Sequence, residues 1–170
     1  MTKKNASKGF TLIEILIVIG IIAILAAIVI VAINPAKQFA QARNTQRESN
    51  VNTILNGIGQ RIADNKGVFA GDFTIGGNDY TCPTLPTVER SISDDGVANE
   101  VDLDCLYPTY IPASIPFDPS DSTSFFWTDE DDYNTGYTVE ADSSGRVTVC
   151  APEAANEDAL PNPEEICVTR

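Results

Sequence analysis

The chain has 170 residues, a formal net charge of −13, four cysteines and no histidine. Without histidine no serine or cysteine can be paired with an imidazole base, and the commonest metal and redox ligand is missing, so a cofactor enzyme is poorly provided for. An acidic total argues against direct nucleic-acid binding, which needs a basic surface. The charge is unevenly laid out. Residues 1–66 hold eight Lys/Arg against three Asp/Glu, a net of +5, whereas residues 67–170 hold three against twenty-one, a net of −18.

At the front, Lys3, Lys4 and Lys8 precede Gly9 and the run Phe10-Thr11-Leu12-Ile13-Glu14; nineteen residues from Ile15 to Ile33 then carry no charge. Nineteen helical residues reach about 28 Å, close to the hydrocarbon thickness of a bilayer. A secretory signal is cut after its apolar core. Here the processing point, Lys8-Gly9 before Phe10, lies in front of the core, so the apolar segment stays on the mature protein. Leader lysines place the N-terminus in the cytoplasm and the acidic body outside. Glu14 sits in the apolar zone, where an ionised carboxylate costs on the order of 2 to 3 kcal/mol and so needs a partner. A glutamate in the first helical turn is also good dipole chemistry by itself.

Gly9-Phe10-Thr11-Leu12-Ile13-Glu14, with the basic leader before it and the Ile/Leu/Val/Ala helix after it, resembles the class III signal peptide of type IV prepilins and pseudopilins. The resemblance implies cleavage between Gly9 and Phe10 by a prepilin peptidase, methylation of the Phe10 amine, and packing of the helix into a filament through Phe10 and Glu14. It also implies an assembly machinery with a separate cytoplasmic ATPase. The competing reading of the same residues is an uncleaved signal anchor.

From Pro35 the helix is expected to continue. Val51, Ile54, Leu55, Ile58 and Ile62 recur at spacings of three and four, an apolar stripe on one face. Arg43, Arg47, Glu48, Asn52 and Arg61 lie opposite and suit water or lateral neighbours. The pattern predicts one long helix from about Phe10 to Asp64, with a bend or unwound turn near Val31 to Pro35 and a second soft point at Gly20. Asn65-Lys66-Gly67 is a stop signal, Gly67 being able to take a left-handed cap.

Residues 67–170 suffice for one small domain. Val68 to Ile75 resembles the loop that leads from helix to sheet in pilins. Cys105 through Pro119 is proline-punctuated and excluded from a central strand. Tyr137–Ala141 and Arg146–Cys150 alternate around Asp142-Ser143-Ser144-Gly145, a hairpin. Ile166–Thr169 is a last short strand. An antiparallel sheet packed on the amphipathic helix buries both apolar faces.

Cys82, Cys105, Cys150 and Cys167 all fall in the extracytoplasmic part, which favours disulfides with three connectivities open. Pairing neighbours along the chain closes loops of about twenty residues, each worth about 3 kcal/mol. The Cys150–Cys167 option is similar to the disulfide-bounded loop near the C-terminus of many pilins. Tetrahedral zinc is the rival, without a Cys-x-x-Cys or a histidine to support it. Asp129, Asp131 and Glu140 occupy the first, third and twelfth positions of a calcium loop, a candidate structural Ca2+ site. Against it, Tyr133 stands where an oxygen belongs and Gly136 comes late. Asp118-Pro119 and Asp121 lie in a stretch resembling the calcium-binding loop of major type II secretion pseudopilins, without its aromatic and glycine landmarks. A solvated acidic surface is the simpler reading.

The expected organisation is a removed leader over 1–9, a membrane-spanning and filament-core helix over 10–34, an amphipathic helix over 35–66, and a β-rich globular domain over 67–170. The fold class is α+β and pilin-like. The expected function is a non-enzymatic structural subunit of a type IV pilus: membrane-held before assembly, then extracellular and polymerised with identical copies. Adhesion, motility and DNA uptake are all compatible with it. The alternatives are a type II secretion pseudopilin or a signal-anchored extracytoplasmic binding domain.

Overall fold

The computed structural model describes residues 9–94, 99–120 and 123–170. The chain divides between Gln38 and Phe39 into two compact units, each taken by itself here. The expected leader lysines, Lys3, Lys4 and Lys8, and Asp121 lie outside the described residues.

In the first unit, α1 runs Leu12–Ile33. It continues through Gly20 without a break, contrary to the expected soft point. Its large side chains are exposed: Ile15, Leu16, Ile17, Val18 and Ile19 each keep more than half their surface open. A helix that is apolar all round has no face to turn toward water, so its environment must come from lipid or from other chains.

The long helix is interrupted within residues 31–35, where a bend or unwound turn was expected, and is thereby divided in two. α2 spans Pro35–Asp64, and Asn34 separates it from α1 with a left-handed φ of 44°. Asn34 serves both ends. It terminates α1 in the conformation that asparagine tolerates better than most residues, and its Oδ1 accepts from the Lys37 amide at 3.3 Å to cap α2. Pro35 then occupies the first helical position, where its missing N–H is not needed. At the other end α2 stops as expected: Lys66 and Gly67 take φ of 56° and 95°, and the Gly67 amide donates to Ile62 O at 2.8 Å.

The second unit carries two sheets. β1 (Gly71–Ile75) and β2 (Asn78–Cys82) form an antiparallel hairpin around Gly76-Gly77. This corrects the expected loop. The two glycines take φ of 64° and 92°, the positive pair that a tight hairpin turn requires. The larger sheet has the order β4-β3-β6-β7-β8, with β5 also pairing β6. Its strands are β3 (Arg90–Asp94), β4 (Glu100–Val101), β5 (Phe126–Asp129), β6 (Asp132–Ala141), β7 (Val147–Ala151) and β8 (Ile166–Thr169). All pairs are antiparallel except β3 with β4. The β6–β7 hairpin and β8 lie where the alternation placed them, although β6 is twice as long as predicted.

One face of the sheet packs on α2. Val51, Ile54, Leu55 and Ile58 share a core with Ile92, Tyr137, Val139, Val147 and Val149, and Ile62 lies at its margin. Gly57 is a close-approach position: a Cβ there would meet Ile111 at 3.0 Å. The architecture is α+β and pilin-like, a long apolar N-terminal helix and a second helix with antiparallel strands.

Candidate functional site

The first site is the entry to α1. Thr11 is its N-cap, and Glu14, three residues on, completes a capping box. The Glu14 carboxylate accepts from the Thr11 amide at 2.8 Å and from Thr11 Oγ1 at 2.9 Å; the Glu14 amide donates to Thr11 Oγ1 at 3.3 Å. A Thr-x-x-Glu spacing produces this because the helix turn brings the first and fourth residues into register. The carboxylate that the sequence marked as needing a partner therefore has a local one. Both residues of the box lie C-terminal to the Gly9-Phe10 bond. Phe10 is 85% exposed, and among the described residues nothing lies within 4 Å of a Cβ built on Gly9.

The second site is a buried ion network, and it corrects the reading of the polar face of α2. Arg47 is 1% exposed and Arg61 3% exposed, so neither faces water. Arg47 Nε donates to Asp118 Oδ2 at 2.7 Å, and its Nη2 donates to Asp118 Oδ1 at 3.0 Å and to Ser120 Oγ at 2.9 Å. Its Nη1 donates to Glu157 Oε1 at 2.5 Å and Asn44 Oδ1 at 2.7 Å. Arg43, one turn earlier, also donates to Glu157, at 2.7 and 2.5 Å. A guanidinium can be buried here because all its sides meet oxygen and two carboxylates neutralise it. Burial alone would raise the Asp118 carboxyl, but hydrogen bonds from Arg47 and Ser120 hold it below the usual carboxylate range. Glu157 is lowered chiefly by Arg43 and further by Arg47. The network fastens two irregular segments onto α2: the Asp118-Pro119 loop and the segment between Cys150 and Cys167.

Arg61 is buried differently. Its guanidinium lies 4.3 Å from the Phe73 ring centroid and donates to Gly71 O at 2.9 Å, holding β1 against the helix end.

The structure does not assemble the candidate calcium ligands. Asp129 and Asp131 flank the β5–β6 turn, with the Asp131 amide donating to Asp129 Oδ1 at 3.1 Å. Glu140 lies eight residues along β6 from Asp132, opposite Thr148, and even with the bulge at Gly136 the strand carries it roughly 20 Å away. A calcium loop must fold its twelfth residue back over the first; here residues 132–141 between them run along a sheet strand, bulged at Gly136. Tyr133, at the suspect position, points into the core, its hydroxyl donating to Asp102 at 2.8 Å and accepting from the Leu103 amide at 2.7 Å. Close to that turn, burial pushes Asp104 up to about 6, with the charges of Asp102, Asp131 and Asp94 adding to the shift.

Of the three connectivities open in the sequence, the structure holds Cys82 with Cys105 and Cys150 with Cys167. The first bond joins β2 to the 3-10 turn at Asp104–Leu106, and the second joins facing residues of β7 and β8.

Comparison with known families meets the chain at its first site. The prokaryotic N-terminal methylation motif matches residues 4–30. The chain carries the type IV pilin class III signal motif. The match spans the Gly9-Phe10 bond, Thr11, Glu14 and most of α1, and supports a type IV pilin or pseudopilin, with the prepilin-peptidase processing and the pilus or pseudopilus assembly that the motif implies. No curated protein and no solved structure matches the chain.

Proposed function

We propose that the protein is the structural subunit of a type IV pilus, cut between Gly9 and Phe10 and polymerised through α1, with residues 39–170 on the outside of the filament. The observation that carries this reading is α1 itself. Its nineteen residues Leu12–Ile30 carry no charge apart from Glu14, and none of them is buried. Such a surface is stable in lipid before assembly and against identical helices after it. The role is structural rather than catalytic, and the protein starts at the cytoplasmic membrane and ends at the cell surface.

Two observations favour a pilus over the calcium-dependent type of secretion pseudopilin. Both Asp118 oxygens in the loop that resembled a calcium site are bonded to Arg47, so a guanidinium stands where a cation is needed. The Cys150–Cys167 bond closes a C-terminal loop of the kind the pilin resemblance led us to expect.

The test is Glu14→Gln, scored by electron microscopy of the cell surface and by immunoblot of the membrane fraction. Processed subunit that accumulates in the membrane while filaments disappear is the expected result. Normal filament yield from the variant would refute the assembly role.

A further inference from the structure

We propose that when the Cys150–Cys167 bond is open, Cys150, Cys167 and Glu165 form a site for a thiophilic divalent ion such as Zn2+. The two cysteines face each other across β7 and β8, with Cα atoms 4.1 Å apart. Both sulfurs and a carboxylate oxygen of Glu165 lie within 4.8 Å of one another. Tetrahedral zinc, with Zn–S near 2.3 Å and Zn–O near 2.1 Å, places its ligand atoms about 3.5 to 3.8 Å apart. Rotation about the cysteine χ1 angles therefore suffices to open the pair around an ion, and the sheet can stay as it is. Two thiolates select zinc-like ions over calcium or magnesium, while the carboxylate adds a hard third ligand and leaves a fourth position for water. Glu165 and Cys167 are near neighbours in the chain, and the pairing of β7 with β8 brings Cys150 to them.

The site is reachable. Cys167 and Glu165 are exposed, whereas the other disulfide is sealed, with Cys82 2% and Cys105 0% exposed. Thiol–disulfide exchange needs a thiolate to reach one sulfur, and Cys167 is the exposed half of this pair. A dithiol attacks there, passes two electrons and two protons to the pair, and leaves as its own cyclic disulfide. The products are two thiols. Ion binding then displaces one proton from each thiol to solvent, so affinity rises with pH. The ion brackets the same segment, residues 151–166, that the covalent bond closes. It can therefore hold Glu157 near Arg43 and Arg47 in a chain that has not yet been oxidised.

The experiment uses the full chain in detergent and does not depend on filaments. Limited treatment with a dithiol, followed by thiol trapping and peptide mass spectrometry, is expected to label Cys150 and Cys167 while Cys82–Cys105 stays closed. Titration with Cd2+ is then expected to give a one-to-one thiolate charge-transfer band, absent from the untreated chain and from the Cys150→Ser/Cys167→Ser variant. Zn2+ competes the band away, and Glu165→Gln weakens binding at least about tenfold, the loss usual even for a supporting residue. Opening of Cys82–Cys105 first or together with Cys150–Cys167, a band that survives the double serine variant, or unchanged affinity in Glu165→Gln would each overturn the assignment.

Discussion

The two units invert the usual arrangement in opposite senses. In α1 the apolar side chains are outside; in the unit over 39–170 some of the charges are inside. Leu16, 55% exposed, belongs to a surface that is completed only by something beyond the chain, while Arg47, 1% exposed, is completed entirely within it. The first segment is designed for transfer between environments, and the second is designed to need none. Both follow from the same accounting: apolar surface seeks any dry neighbour, whereas a buried charge requires particular ones.

The sharpest way to break this contrast is Arg47→Leu. It leaves Asp118 and Glu157 facing each other without their common cation, and loss of about 3 to 5 kcal/mol is expected in thermal or denaturant unfolding of the full chain in detergent. Adding Asp118→Asn should return part of that loss. Acid attacks the same network. Asp118 and Glu157 have folded pKa values below their unfolded ones, so their contribution is present above the ordinary carboxylate range and disappears as pH falls through the depressed values. Unfolding midpoints measured down a pH series should therefore drop more steeply at the acid end for the wild type than for the Arg47→Leu/Asp118→Asn double variant.

Cys150→Ser/Cys167→Ser comes next, with an expected loss of about 3 kcal/mol from the freed loop. Proteolysis of the folded chain should then begin between residues 151 and 166. Asp104 reverses the sign. Its pKa is raised to about 6 by burial, so ionisation opposes folding at neutral pH, and the penalty vanishes below the unfolded value near 4. Asp104→Asn should stabilise the domain by about 1 kcal/mol at pH 8, after allowance for partial exposure, and by nothing measurable at pH 3. The smallest effect belongs to the other unit. Leu16→Ala should leave unfolding of the 39–170 unit unchanged within about 0.5 kcal/mol.

The part of this molecule most legible in its sequence was the part governed by short-range rules. The apolar run, the Asn65-Lys66-Gly67 stop and the Asp142–Gly145 hairpin each declare themselves within a few residues; the Thr11-x-x-Glu14 box was as local but was read only as a first-turn acid. Pro35 marked the interruption between the helices, whereas the left-handed cap that makes it belongs to Asn34, one residue earlier. The Gly76-Gly77 turn was equally local, and Thr74-Ile75 before it with Asn78-Asp79 after it could have exposed the hairpin. β3, β4 and β5 are short and take their place from β6, so local alternation could not define them. The burial of Arg47 was not legible at all. Asp118 and Glu157 lie 71 and 110 residues further along the chain, and no helical periodicity can report partners at that distance. The calcium pattern failed for the complementary reason, since a one-dimensional spacing was satisfied by a strand that keeps its ends apart.

The retention of α1 behind a cut at Gly9-Phe10 is the claim on which the rest stands, and mass spectrometry of the N-terminal peptide from sheared surface filaments tests it most directly. The account requires a chain that begins at Phe10, with its amine methylated, as the main species. A chain that begins at Met1, or one that begins beyond Ile33, would contradict it.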